Sequence, residues 1–81
     1  MRIVDYIPHE RLMITLMEMN EKYILKLEGG PMEQTYKIEK ARISNSANMK
    51  KLADDEFVND CIKHFDNMFQ SLSASLERNQ L

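Results

Sequence analysis

Apolar residues recur at every second position up to about residue 43 of this chain and at every third or fourth position after residue 54. That change of period limits what the chain can fold into. A period of two lines one face of a strand, and a period near 3.6 lines one face of a helix. The pattern predicts an α+β fold: an antiparallel meander of three to four strands over residues 2–43, then one long amphipathic C-terminal helix over residues 54–78 packed on one face of the sheet.

Within the first region Leu12, Ile14 and Leu16 fall on one face, and Met13, Thr15, Met17 and Met19 on the other. Asn20-Glu21 can close a two-residue hairpin, because Asn tolerates a positive φ. That turn sets Leu16 opposite Leu25, Ile14 opposite Leu27 and Glu18 opposite Tyr23. Gly29-Gly30 before Pro31 is the strongest turn signal. A turn centred on the two glycines pairs Glu28 with Pro31, Leu27 with Met32, Leu25 with Gln34 and Tyr23 with Tyr36, with Lys26 meeting Glu33 on the opposite face. The third strand is expected to continue through Ile38 toward Ile43. Arg2–Ile7 reads as an edge strand ended by Pro8, and Asp5 leaves open whether Val4 and Tyr6 or Ile3 and Ile7 face the core.

Asp54-Asp55-Glu56 places acidic groups and an N-cap where a helix dipole favours them. Val58, Cys61, Ile62, Phe65, Met68, Phe69, Leu72 and Leu76 then form an apolar stripe about five turns long. The segment Ala47–Leu52 carries the weaker pattern of a short helical turn. With 81 residues, one domain spanning 1–81 accounts for the whole chain.

A four-strand sheet is about 19 Å wide and a packed helix about 10 Å, so one helix leaves part of the sheet bare. The helix also outruns the strands by roughly two turns. The expected core joins Leu12, Ile14, Leu16, Leu25 and Leu27 to Ile62, Phe65 and Phe69. Met13, Met17, Met19, Ile24, Leu72 and Leu76 remain as the expected interface of a two-fold homodimer, since large bare apolar patches mark contact sites. The methionines also suit an adaptable protein-binding surface.

Charge and cysteine usage narrow the partners. Eleven basic and 13 acidic residues leave a net charge of −2, which offers no general attraction to phosphate backbones or anionic membranes. Neither nucleic acid nor membrane is an expected partner. No apolar run approaches the roughly 20 residues of a membrane-spanning helix. A single cysteine and no signal-like opening segment point to a reducing cytoplasm.

Cys61, His64 and Asp60 have a spacing compatible with metal ligation on a helix, but a structural zinc site wants four ligands and only His9 remains to contribute. Cys61 on the buried stripe is a poor nucleophile. His9 and Glu10 in a turn read as solvated groups, and Gly29-Gly30 lacks phosphate-loop spacing. No catalytic residue, cofactor or metal is therefore expected. The functional expectation is a non-enzymatic homodimeric protein-interaction or adaptor module. The alternative is a small-ligand-binding sensor whose pocket collects Tyr23, Gln34, Tyr36 and His64.

Tyr6-Ile7-Pro8-His9, Glu28-Gly29-Gly30 and Glu33-Gln34-Thr35-Tyr36-Lys37 resemble a family of small uncharacterised bacterial proteins of Bacteroidetes-type organisms. The likeness covers mainly residues 1–40. It implies a bacterial cytoplasmic protein and carries no activity or catalytic residues to transfer.

Overall fold

A computed structural model describes residues 1–81. Four strands, β1 (Arg2–Ile7), β2 (Met13–Met19), β3 (Lys22–Gly29) and β4 (Met32–Glu39), precede two helices, α1 (Ser46–Lys51) and α2 (Asp55–Arg78). The strands form one antiparallel meander in the order β1-β2-β3-β4. The α+β architecture read from the change of period is the one observed.

The first hairpin has the expected register, with Leu16 opposite Leu25, Ile14 opposite Leu27 and Glu18 opposite Tyr23. Its two-residue turn places Asn20 at φ 57°, a conformation that Asn accepts more readily than other side-chain-bearing residues.

The second hairpin differs from its expectation. Gly29 pairs with Met32, so the turn residues are Gly30 and Pro31, and Tyr23 faces Ile38 while Tyr36 faces Leu25. Packing above the sheet is the reason. A Cβ on Gly29 would lie 2.8 Å from Leu12 Cδ2 and 3.3 Å from Phe65 Cδ2, so this glycine is needed inside the strand beneath Phe65. The positive φ falls on Gly30, at 59°, and the locked φ of proline suits the position after it. Sliding the register by two residues keeps every side chain on its expected face but changes its neighbour.

β4 stops at Glu39 rather than running toward Ile43. Its partner β3 begins at Lys22, opposite Glu39, and one further bond from Lys40 N to Glu21 O (2.9 Å) closes the ladder. β1 resolves the ambiguity at Asp5 with a bulge between Ile3 and Asp5. The extra residue changes the phase of the strand, so Val4 and Ile7 both pack against the core.

Both helices contribute to one core on one side of the sheet. Leu12, Ile14, Leu16, Tyr23, Leu25 and Leu27 meet Val58, Cys61 and Phe65 of α2. Met49 of α1 is fully buried among them. Asn45 caps α1 by accepting from Asn48 N (2.9 Å), and Asp54 caps α2 by accepting from Phe57 N (2.8 Å). Phe69, expected in this core, is 51% exposed, because the sheet ends below it. The chain extends 48 Å along its longest axis and only 18 Å along its shortest.

Candidate interaction surfaces

The α2 stripe is continuous in sequence but not in cover. Val58, Cys61 and Phe65 are buried, and no residue after Phe65 is. Met68, Phe69, Leu72 and Leu76 are all exposed. Met68 still reaches the sheet, where its Sδ accepts from Gln34 Nε2 at 3.7 Å. From Phe69 to Arg78 the helix projects about 15 Å past that contact, a longer overhang than the two turns expected. Leu72 and Leu76 therefore stand where an interface was expected. Phe69 belongs with them; its place on the stripe was legible, but its exposure was not.

The sheet face away from the helices is divided along its length. Toward β1 and β2 it carries Ile3, Tyr6, Met13, Met17 and Met19; toward β3 and β4 it carries Lys22, Lys26, Glu28, Glu33, Lys37 and Glu39. Lys26 Nζ lies 3.8 Å from Glu28 and 3.5 Å from Glu33. Met13 is exposed, whereas Met17 and Met19 are half-buried. Ile24 departs from its expected role as a contact residue: only 2% of it is exposed, since it sits mid-sheet between Met17 and Lys37. Ile3 and Tyr6, absent from the expected patch, enlarge it, because the bulge turns both to this side.

Of the four residues of the expected ligand pocket, Gln34 and Tyr36 are in contact, Tyr23 is buried and His64 is exposed. Tyr36 Oη donates to Gln34 Oε1 (3.0 Å), and the Tyr36 ring meets the Phe57 ring edge-on at 5.3 Å. Lys40 Nζ lies 5.3 Å above the Tyr23 ring. One cleft of about 750 Å³ opens beside Ile38, Arg42, Ile43 and Leu52, and a smaller, more enclosed one of about 210 Å³ adjoins it at Leu25, Tyr36 and Phe57.

Cys61 has no exposed surface, and its Sγ lies 3.9 Å from Tyr36 Oη. Burial pushes the Cys61 thiol above its ordinary range, and burial together with the Cys61 contact does the same to Tyr36. A thiol held protonated is unreactive. His9 accepts from the backbone N–H groups of Arg11 (3.0 Å) and Leu12 (3.3 Å) through Nδ1, which pins the β1–β2 loop. No three His, Cys, Asp or Glu side chains converge as a metal site would need.

Two carboxylates tie the sheet to its surroundings. Glu18 is hydrogen-bonded by Lys40 (3.0 Å) and by Arg2, which holds its carboxyl below the ordinary range. Asp5 is lowered by its hydrogen bond to Lys50 of α1, joined by the Tyr6 backbone N–H. No helix is long and apolar enough to cross a membrane. No family model, curated protein or solved structure matches the chain.

Proposed function

We propose that this protein is a non-enzymatic homodimeric interaction module of a reducing, cytoplasmic compartment. The observation that carries this reading is the overhang of α2, where Phe69, Leu72 and Leu76 continue a core-forming stripe and yet stand exposed. Covering a Leu or Phe side chain contributes about 1.5–3 kcal/mol before ordering costs. A small chain with only 12 buried residues gains much from such cover. The apolar half of the outer sheet face, with Ile3, Tyr6 and Met13 exposed, supports the same reading and offers a second contact area for another protein.

Sedimentation equilibrium at micromolar concentration tests it. The expected mass is twice the 9.6 kDa of the chain, and a single 9.6 kDa species overturns the reading. A second reading, a small-ligand sensor, is favoured by the cleft beside Ile38, Ile43 and Leu52, whose volume lies in the ligand range. A thermal-shift screen against metabolites tests that reading, which fails if no compound raises the midpoint.

A further inference from the structure

The two edges of the sheet are not alike. β1 carries a bulge at Val4 and is followed by Pro8, and Asp5 reaches inward to Lys50. Bulges, prolines and inward-pointing charges are devices that keep an edge from pairing. β4 lacks the bulge and the inward charge: Pro31 flanks it as Pro8 flanks β1, but its eight residues hold regular register with β3 and its charged side chains lie on the outer face.

The hydrogen-bond pattern shows which groups that edge presents. A two-residue turn makes Gly29 and Met32 its closing hydrogen-bonded pair, and the Lys40 N to Glu21 O bond repeats the same parity at the far end. Bonded pairs alternate along an antiparallel ladder, so Met32, Gln34, Tyr36 and Ile38 direct their backbone groups to β3. Glu33, Thr35, Lys37 and Glu39 hold theirs toward the open edge, and all four are exposed.

We infer that two copies of this chain join through β4, antiparallel and centred on Thr35, to make one continuous eight-stranded sheet. The inference rests on the homodimer reading and adds a junction separate from the α2 overhang that carries that reading. In this register the free backbone groups of Glu33, Thr35 and Lys37 meet those of the partner's Lys37, Thr35 and Glu33, giving about six hydrogen bonds. Glu33 lies opposite the partner's Lys37 on the outer face, twice by symmetry. Lys37 forms no ion pair within its own chain, while Glu33 already meets Lys26, so the pairing extends a charge ladder across the junction.

Neighbouring registers lose this match. A shift by one residue sets free groups against groups already bonded to β3, and a shift by two sets Glu33 against the partner's Glu39 or leaves Lys37 facing the partner's Pro31. On the inner face Met32 meets the partner's Ile38, and both residues are only half-buried in the single chain.

The test is cross-linking combined with sedimentation. Thr35→Cys places two thiols on the axis with Cα atoms about 5.5 Å apart, within disulfide reach. Glu39→Cys places them about 27 Å apart. Mild oxidation is expected to yield a covalent dimer from Thr35→Cys and none from Glu39→Cys. Lys37→Glu is expected to raise the dimer dissociation constant about tenfold, and the double exchange Glu33→Lys with Lys37→Glu to restore it. A wild-type dimer in which Thr35→Cys fails to cross-link and Lys37→Glu changes nothing overturns the β4 junction while leaving the homodimer reading intact. A monomeric wild type overturns both.

Discussion

The two halves of α2 carry the same kind of stripe and meet different fates. Val58, Cys61 and Phe65 pack in one core with Leu25, Leu27 and their neighbours and are buried; Phe69, Leu72 and Leu76 lie outside that core and are exposed. Spacing and chemistry are alike on both sides of Met68, so neither decides burial. What decides it is how far the sheet extends beneath the helix. Periodicity encodes a face; the cover on that face comes from other elements, or from another copy.

The largest expected effect tests that contrast directly. Phe65→Ala removes a ring wedged above Gly29 and Leu12 and is expected to cost about 3–5 kcal/mol of unfolding free energy. Phe69→Ala is expected to cost under about 1 kcal/mol in urea denaturation at concentrations low enough to keep the chain monomeric. Equal losses would break the comparison, since they would mean that Phe69 is covered within its own chain.

The covered half can also be disturbed from below. Gly29→Ala drives a methyl to within 2.8 Å of Leu12 Cδ2, and overpacking there is expected to lower stability by about 1–3 kcal/mol. Gly30→Ala meets no neighbour within 4 Å and is expected to cost about 1 kcal/mol through its positive φ alone. A reversed order in thermal melts would show that the helix does not press on the strand at Gly29.

At its start the covered half depends on a single side chain. Asp54→Ala deletes the acceptor for Phe57 N and is expected to cost about 1 kcal/mol. Amide exchange should then quicken around Phe57 and Val58 and leave the overhang, beyond Met68, unchanged. Faster exchange confined to the overhang would refute the assignment.

The smallest effect concerns pH. Glu18 and Asp5 are held below the usual carboxylate range, chiefly by hydrogen bonds from Lys40 and Lys50. A depressed carboxyl stabilises the fold at pH above its unfolded value, and that contribution is lost as the pH falls through the lowered folded value. Melting temperature should therefore drop on acidification below about pH 4, and Glu18→Gln should flatten the profile. Both carboxylates border the covered side of the sheet, so the loss should appear in core probes. An unchanged profile in Glu18→Gln would remove Glu18 from the account.

Much of this fold was legible in the chain because local signals agreed with one another. The Asn20 turn and the alternation on either side of it specify the β2–β3 register together, and Asp54 with the stripe beyond it specifies where α2 begins. The misplacements occurred where a distant contact outweighed a local one. Gly29-Gly30 looks like the turn, but Phe65, 36 positions away in sequence, needs Gly29 in the strand. One bulge at Val4 serves both candidate phases of β1. Met49 belongs to a short helix with little periodicity of its own, so only its neighbours reveal it as core. Among the site residues, Leu72 and Leu76 were legible as surplus apolar area. Ile24 was not, because its burial comes from flanking strands, and the register that sets Tyr23 opposite Ile38 rather than Tyr36 depends on the packing around Gly29.

The order of apolar residues by itself determined the classes of element, their sequence along the chain and the face each side chain occupies, since these follow from backbone geometry over a few neighbouring residues. Only the tertiary structure decided which turn residues face Phe65, where β4 ends, how far α2 outruns the sheet and which edge stays open. Each of these depends on the distance between parts remote in sequence, and steric fit among them selects one answer where local preference allows several.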